Sequence, residues 1–367
     1  MDPDALQAEV DEWVRDGIIT ETQAEAILAR YDGDDAGRSR AVVALSVVGS
    51  ALVFVGVTLF LATNWDDLPT VAQVAVLLAG PGLAYAAGST AYRRSVPRAG
   101  LALTLLGAVL VGPSLFLLAD LASVEIAEVW LLFAWTAIAL PTGHALDSRV
   151  GTGFGLVVLA GVVLDLTSPS EPVTSLALLG VTLFCLAVAN TDRIRWTYRV
   201  VGATFALVGV IALTTLDGRF EWFELDASAT LAALAVGAVM GSGWLWWRAD
   251  RVTAMWATTA TVAIAVGTTA GVLAAETIPN AAALAVVHLT GLAAIAATGY
   301  YGYRTGSRTF VDLAAVAALG QTLSFVASTV VDALSGSIAL VVAGTILITA
   351  GIALERGRRS ILARVER

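Results

Sequence analysis

From residue 41 onward the chain alternates long apolar runs with short polar interruptions. Residues 41–63, AVVALSVVGSALVFVGVTLFLAT, are 23 positions without one charge. At about 1.5 Å per residue they make roughly 34 Å of helix, enough to cross a hydrocarbon core about 30 Å thick. Similar runs follow at 71–91, 99–119, 129–145, 151–167, 173–190, 200–216, 227–247, 252–274, 280–302, 309–330 and 337–354. Apolar stretches of about this length read as transmembrane helices. The pattern predicts an all-α fold, a polytopic integral membrane bundle of about 12 helices within residues 38–354. An arginine-rich tail, 355–367, ends the chain.

Residues 1–37 have a different pattern. Asp2-Pro3 is a helix start with proline at the first helical position. Leu6, Val10 and Trp13 fall on one helical face. Gly17 is suited to end that helix, and Thr20 with Gln23 makes a capping box for a second one. The second apolar face is Ala24, Ile27, Leu28 and Tyr31, and residues 32–37 form an acidic linker. Two short helices bury little core alone. The predicted N-terminal hairpin is therefore expected to dock on a second copy, on the membrane domain or on a protein partner.

Charge placement gives the spans a direction. The chain has no lysine, and 20 of its 21 arginines fall on one side of the predicted membrane, with Arg219 the exception. The basic connections hold Arg93, Arg94 and Arg98, then Arg149, then Arg193, Arg195 and Arg199, then Arg248 and Arg251, then Arg304 and Arg308. Short basic loops stay in the cytoplasm. The reading is a multi-pass protein of the plasma membrane with both termini cytoplasmic and the lipid bilayer as its main partner. Trp65 and Trp130 near the outer ends, and Tyr92, Trp196 and Trp244 near the inner ones, form an aromatic belt. Thirteen acids fall outside; residues 1–37 carry −9 and the remaining inner loops and tail +12. An acidic module tethered beneath a basic face suggests docking there, in competition with anionic headgroups for the same arginines.

Composition narrows the picture further. The chain is 57% hydrophobic and 14% charged, against about 25% charged in soluble domains. One cysteine, Cys185, excludes an internal disulfide. A lysine-free chain with pI near 4.7 predicts a salt-adapted prokaryote, a halophilic archaeon. No nucleic-acid partner is expected.

The segment W-V-x-D-G-I-I-T-x-x-Q-A-x-x-I-L-x-x-Y, Trp13 to Tyr31, is followed by a spacer, a hydrophobic span and Asn64-Trp65-Asp66-Asp67-Leu68-Pro69. This arrangement resembles domain-of-unknown-function family 2157, predicted polytopic membrane proteins of archaea and bacteria. The resemblance covers residues 1–90. It implies a cytoplasmic helical module ahead of a multi-span domain, and it implies no activity.

No HExxH, paired histidine, cysteine cluster, G-x-S-x-G or P-loop occurs in the sequence. No catalytic, cofactor-binding or metal-ligating residue is therefore assigned, and no cofactor. Polar groups inside a bilayer are functional candidates by default. Here they are His288 in the tenth span and Gln321 in the eleventh, beside Thr322 and Ser324. His144, Asp165 and Asp312 lie at span ends. Pro81, Pro113 and Pro141 interrupt spans two to four, and broken helices line transporter sites. A cavity is therefore expected among spans one to four, with Asn64, Trp65, Asp66, Asp67, Asp120, Glu125 and Glu128 at its outer mouth.

Three functions are compatible with these residues. One is a membrane scaffold or sensor assembling through residues 1–37. Another is a small-solute or lipid transporter or channel using the proline-broken spans. The third is a membrane glycosyl- or lipid-transferase using Asp66 and Asp67.

Overall fold

The computed structural model describes residues 3–25, 52, 63–94, 96–167, 172–215, 229–248, 250–276, 280–327 and 337–365. Of the first predicted span, only Leu52 and Thr63 are described. Ile27, Leu28, Tyr31 and the acidic linker also lie outside the described residues. The chain divides into two units, Met1–Val74 and Ala75–Arg367.

In the first unit, α1 spans Pro3–Arg15. Gly17 stops it with φ +72, a left-handed conformation that costs glycine little. The Ile18 N–H then returns to the Trp13 carbonyl at 2.9 Å. The capping box closes in both directions: Thr20 N–H donates to Gln23 Oε1 at 2.9 Å, and Gln23 N–H donates to Thr20 Oγ1 at 3.3 Å. A second helical turn starts there, and Val10 and Ala24 are buried with Trp13, Val14 and Ile19 packed against them.

The following helices are α2 (Thr70–Arg93), α3 (Pro97–Leu121), α4 (Glu128–Ala145), α5 (Arg149–Thr167), α6 (Pro172–Leu186) and α7 (Asp192–Thr215). Then come α8 (Ala229–Trp247), α9 (Arg251–Glu276), α10 (Asn280–Thr305), α11 (Arg308–Phe325) and α12 (Ser337–Val365). Every apolar run after residue 70 coincides with one of them, and no strand occurs among the described residues. Seven are long and apolar enough to cross a bilayer: α2, α3, α5, α7, α8, α9 and α10. A shorter apolar helix covers Val173–Ala189. Its last turn tightens to 3₁₀ over Ala187–Ala189, where Asn190 Nδ2 donates back to the Leu186 carbonyl at 3.1 Å. Arg356, Arg358, Arg359 and Arg364 of the tail lie on α12, which continues past the predicted span end.

Within lipid there is no hydrophobic force between helices, so close packing has to hold them. The most extensive pair is α6 with α7. It closes on glycine: a Cβ at Gly180 would stand 2.3 Å from the Ala206 nitrogen, and one at Gly202 would stand 2.6 Å from the Gly180 carbonyl oxygen. An aromatic core joins α6, α9, α10 and α11. Phe184 stacks on Trp256 with centroids 3.8 Å apart, and Tyr301 meets Phe184 edge-on at 5.3 Å. Phe310 meets Tyr301 at 4.8 Å. The one polar atom of Trp256 is satisfied there, its indole N–H donating to Thr298 Oγ1 at 2.9 Å.

The basic turns gather at one end of the second unit. Thr191 Oγ1 donates to Asp147 at 3.0 Å, and Arg193 stands 3.8 Å from the same carboxylate. Arg199 pairs with Asp250 at 3.4 Å and lies over the Tyr301 ring at 5.9 Å. Arg149 lies over Trp196 at 4.8 Å, and Arg358 pairs with Asp312 at 2.7 Å. Turns separated by about fifty residues of sequence are thus tied together, as hairpins crossing and recrossing the same slab require.

Candidate functional site

The residues around Asp66 form a compact turn in the first unit. Asp67 N–H donates to the Asn64 carbonyl at 3.2 Å, and Leu68 N–H to the Trp65 carbonyl at 3.3 Å. Gln73, buried on α2, also donates its side-chain amide to the Trp65 carbonyl, at 2.7 Å. Trp65 and Asn64 are half-buried, whereas Asp66 and Asp67 are exposed. Asp120, Glu125 and Glu128 are exposed at the α3–α4 connection, where Ser123 adopts φ +51. Among the described residues no group of three His, Cys, Asp or Glu side chains converges as a metal site would require.

The prolines do not divide their helices. Pro81 lies inside α2, Pro113 inside α3 and Pro141 inside α4, and each helix is continuous through its proline. Proline removes one backbone hydrogen bond, which neighbouring groups can offset in a packed helix. The Trp135 indole N–H donates to the Ala108 carbonyl at 2.8 Å and ties α4 to α3.

His144 is satisfied within the bundle. Its Nδ1 donates to the Leu140 carbonyl at 2.8 Å, which leaves Nε2 to accept from the Tyr198 hydroxyl at 3.3 Å. Asp165 is exposed at the end of α5. Asp312 is the partner of Arg358.

The structure brings His288 and Gln321 together, although they are 33 residues apart. The Gln321 side-chain amide donates from Nε2 to His288 Nδ1 at 2.7 Å, so the imidazole carries its proton on Nε2. Both are buried, His288 at 7% exposure and Gln321 at 3%. Glycine makes this approach possible: a Cβ at Gly291 would stand 2.8 Å from Gln321 Oε1. Phe325, one turn beyond Gln321, packs edge-on against the His288 ring at 5.3 Å. Beside it the Ser324 and Thr214 hydroxyls share a hydrogen bond that ties α11 to α7. Gln321 Oε1 itself is buried without a hydrogen-bond partner.

A groove of about 550 Å³ opens at this pair, between residues 281–292 of α10 and 321–325 of α11. Its polar members are His288, Gln321 and Thr322, and the rest of the lining is apolar. Leu289 and Leu292 form an exposed rim. The volume falls in the range of small-molecule sites, about 300–1,000 Å³. Chemically the arrangement is one neutral hydrogen-bonding point at the floor of an apolar slot. The cavity expected among spans one to four involves a first span outside the described residues, and this groove lies elsewhere.

Residues 11–151 match the model of a family described as predicted membrane protein (DUF2157). The match reaches from within α1 to the start of α5 and includes the Asn64–Pro69 turn. No curated protein and no solved structure matches the chain.

Proposed function

We propose that this membrane protein is a twelve-span scaffold or sensor of the plasma membrane, with both termini cytoplasmic, that assembles through its N-terminal hairpin. The observation that carries the reading is the hairpin itself. It has its own stop at Gly17, its own reciprocal cap at Thr20 and Gln23, and its own small core around Val10 and Ala24. A module of this size has little apolar area to bury alone, while Ile18 remains 67% exposed beside it. Pairing with a second copy supplies the missing burial. The cytoplasmic orientation is supported by the gathering of ion pairs and arginine–aromatic contacts at one end of the helices. The lysine-free acidic composition suits a salt-adapted archaeon.

The test compares the full chain with a variant lacking residues 1–37, both purified in detergent. Light scattering coupled to size exclusion should give an oligomer for the first and a monomer for the second. Equal protein masses would reject assembly through the hairpin.

A second reading, handling of a small apolar ligand, is favoured by the groove beside His288 and Gln321. Exposed Asp66 and Asp67 are the acids on which a transferase reading would rest, and calorimetry with Mn²⁺ on the Asp66→Asn/Asp67→Asn variant tests it.

A further inference from the structure

A second groove, of about 280 Å³, lies where the end of α10 meets the start of α9. Trp256, stacked on Phe184, is buried in its lining, whereas Met255, Ala293, Ala296 and Tyr300 are exposed. The groove therefore opens sideways, on the flank of two helices that are each long and apolar enough to cross a bilayer. Positive charge is concentrated at one end of it. Arg304 Nη1 donates to the Tyr300 hydroxyl at 2.8 Å, and its guanidinium lies over the Tyr300 ring at 5.7 Å. The proton of that hydroxyl and the other guanidinium N–H groups stay available to a ligand. Among the described residues Arg304 has no carboxylate partner, and neither has Arg251, which precedes Val252 of the lining, nor Arg248, which lies over Trp244 at 5.0 Å. Asp250 is the acid of that turn, and Arg199 already engages it at 3.4 Å.

We infer that this groove binds an anionic phospholipid, its phosphate on Arg304 and Tyr300 and an acyl chain lying against Trp256. A phosphate oxygen accepts from both donors, and a guanidinium matches it in charge and in geometry. The head has to be anionic overall, because a zwitterionic one would bring its ammonium among arginines without a free acid to receive it. The lining fits a chain: apart from Thr259 and Tyr300 it is apolar, and the Trp256 N–H is already held by Thr298. From Tyr300 to Ala293 the groove follows α10 for roughly 10 Å, against about 15 Å for half of the hydrocarbon core. Charge also argues against a transmembrane segment of this chain as occupant. A second copy in the same membrane would bring the same arginines to that level, and the first predicted span, residues 41–63, has no acid and follows Arg38 and Arg40. The inference requires the chain to be in a membrane and is independent of how the hairpin assembles.

The experiment uses the full-length protein in dodecyl maltoside with phosphatidylglycerol carrying a diazirine on its acyl chain as probe. After illumination, mass spectrometry should locate adducts on peptides covering 252–259 and 293–300. Unlabelled phosphatidylglycerol should compete, and phosphatidylcholine and diacylglycerol should compete about fivefold less well, the scale of one arginine at an anionic surface. Arg304→Gln should weaken labelling by a similar factor, whereas Arg359→Gln, at an exposed arginine of α12, should leave it unchanged. Ala296→Phe fills the groove without touching a polar group, and it should abolish labelling even if Arg304→Gln does not fold. Equal competition by diacylglycerol or phosphatidylcholine overturns the proposal, as do adducts spread over all helices in proportion to their exposed area. Displacement by inorganic phosphate as effective as by the lipid would assign the site to a free anion instead. Labelling that appears only once residues 1–37 are deleted would assign it to the acidic hairpin.

Discussion

Replacing Gly180 by alanine adds one methyl group at the crossing of α6 and α7. The new Cβ would stand 2.3 Å from the Ala206 nitrogen, 2.5 Å from the Gly202 carbonyl oxygen and 2.9 Å from the Ala206 Cα. All three are backbone atoms, so no rotamer change relieves the contact. Ordinary contact begins near 3.4 Å, so the helices must part locally by about 1 Å. A gap of 0.5–1 Å forfeits about a quarter to a half of the dispersion energy of each facing atom pair. Overpacking a close-packed site costs about 1–3 kcal/mol, and backbone on both sides places this site near the upper end. Alanine offsets about 1 kcal/mol of that through better helix propensity. The expected net loss is about 2 kcal/mol. Gly243 is the control, because it sits on α8 with nothing within 4 Å of its Cβ position. There the same change should be neutral or stabilising by up to about 1 kcal/mol. Reversible unfolding of the purified protein in mixed micelles, titrated with dodecyl sulfate and followed by tryptophan fluorescence, compares the two. If Gly180→Ala is as stable as Gly243→Ala, close backbone approach is not what holds α6 to α7.

Three further outcomes follow from the same structure. Trp256→Phe keeps the ring over Phe184 but deletes the donor to Thr298, and the same titration should show a loss of about 1–3 kcal/mol. The half-buried carboxyl of Glu355 is held below its ordinary range, first by the hydrogen bond from Arg359. Its favourable contribution is therefore present at neutral pH and lost as pH falls through the lowered folded value. Amide exchange over residues 355–365 should accelerate over that acid range, and Glu355→Gln should flatten the profile. In a Cys185→Ala background, Glu125→Cys should react with an impermeant maleimide on intact cells, whereas Thr191→Cys should react only after lysis. The reverse pattern would invert the proposed topology.

Several local features of this protein were legible in the residues alone. The apolar runs after residue 70 became helices because a backbone in hydrocarbon has to satisfy its own hydrogen bonds, and a helix does so within one segment. Gly17, Thr20 and Gln23 terminate and restart helices through neighbours three or four positions away. Arg149, Arg193, Arg199 and Arg358 make their contacts at the connecting turns, where a charge has no hydrocarbon to cross.

What packs against what was decided only by the tertiary structure. Lipid and a neighbouring helix are equally apolar, so the spans carry no polar stripe to mark the inward face. That is why His288 and Gln321 could be singled out individually but not as partners, and why their groove was not placed. Adjacent antiparallel helices put a residue eight positions into α10 opposite one near the end of α11, a match that depends on register and rotation. The effect of the prolines likewise depends on packing. Pro81 and Pro113 remove backbone donors, and α2 and α3 nevertheless run through them, an outcome that the residues alone do not fix.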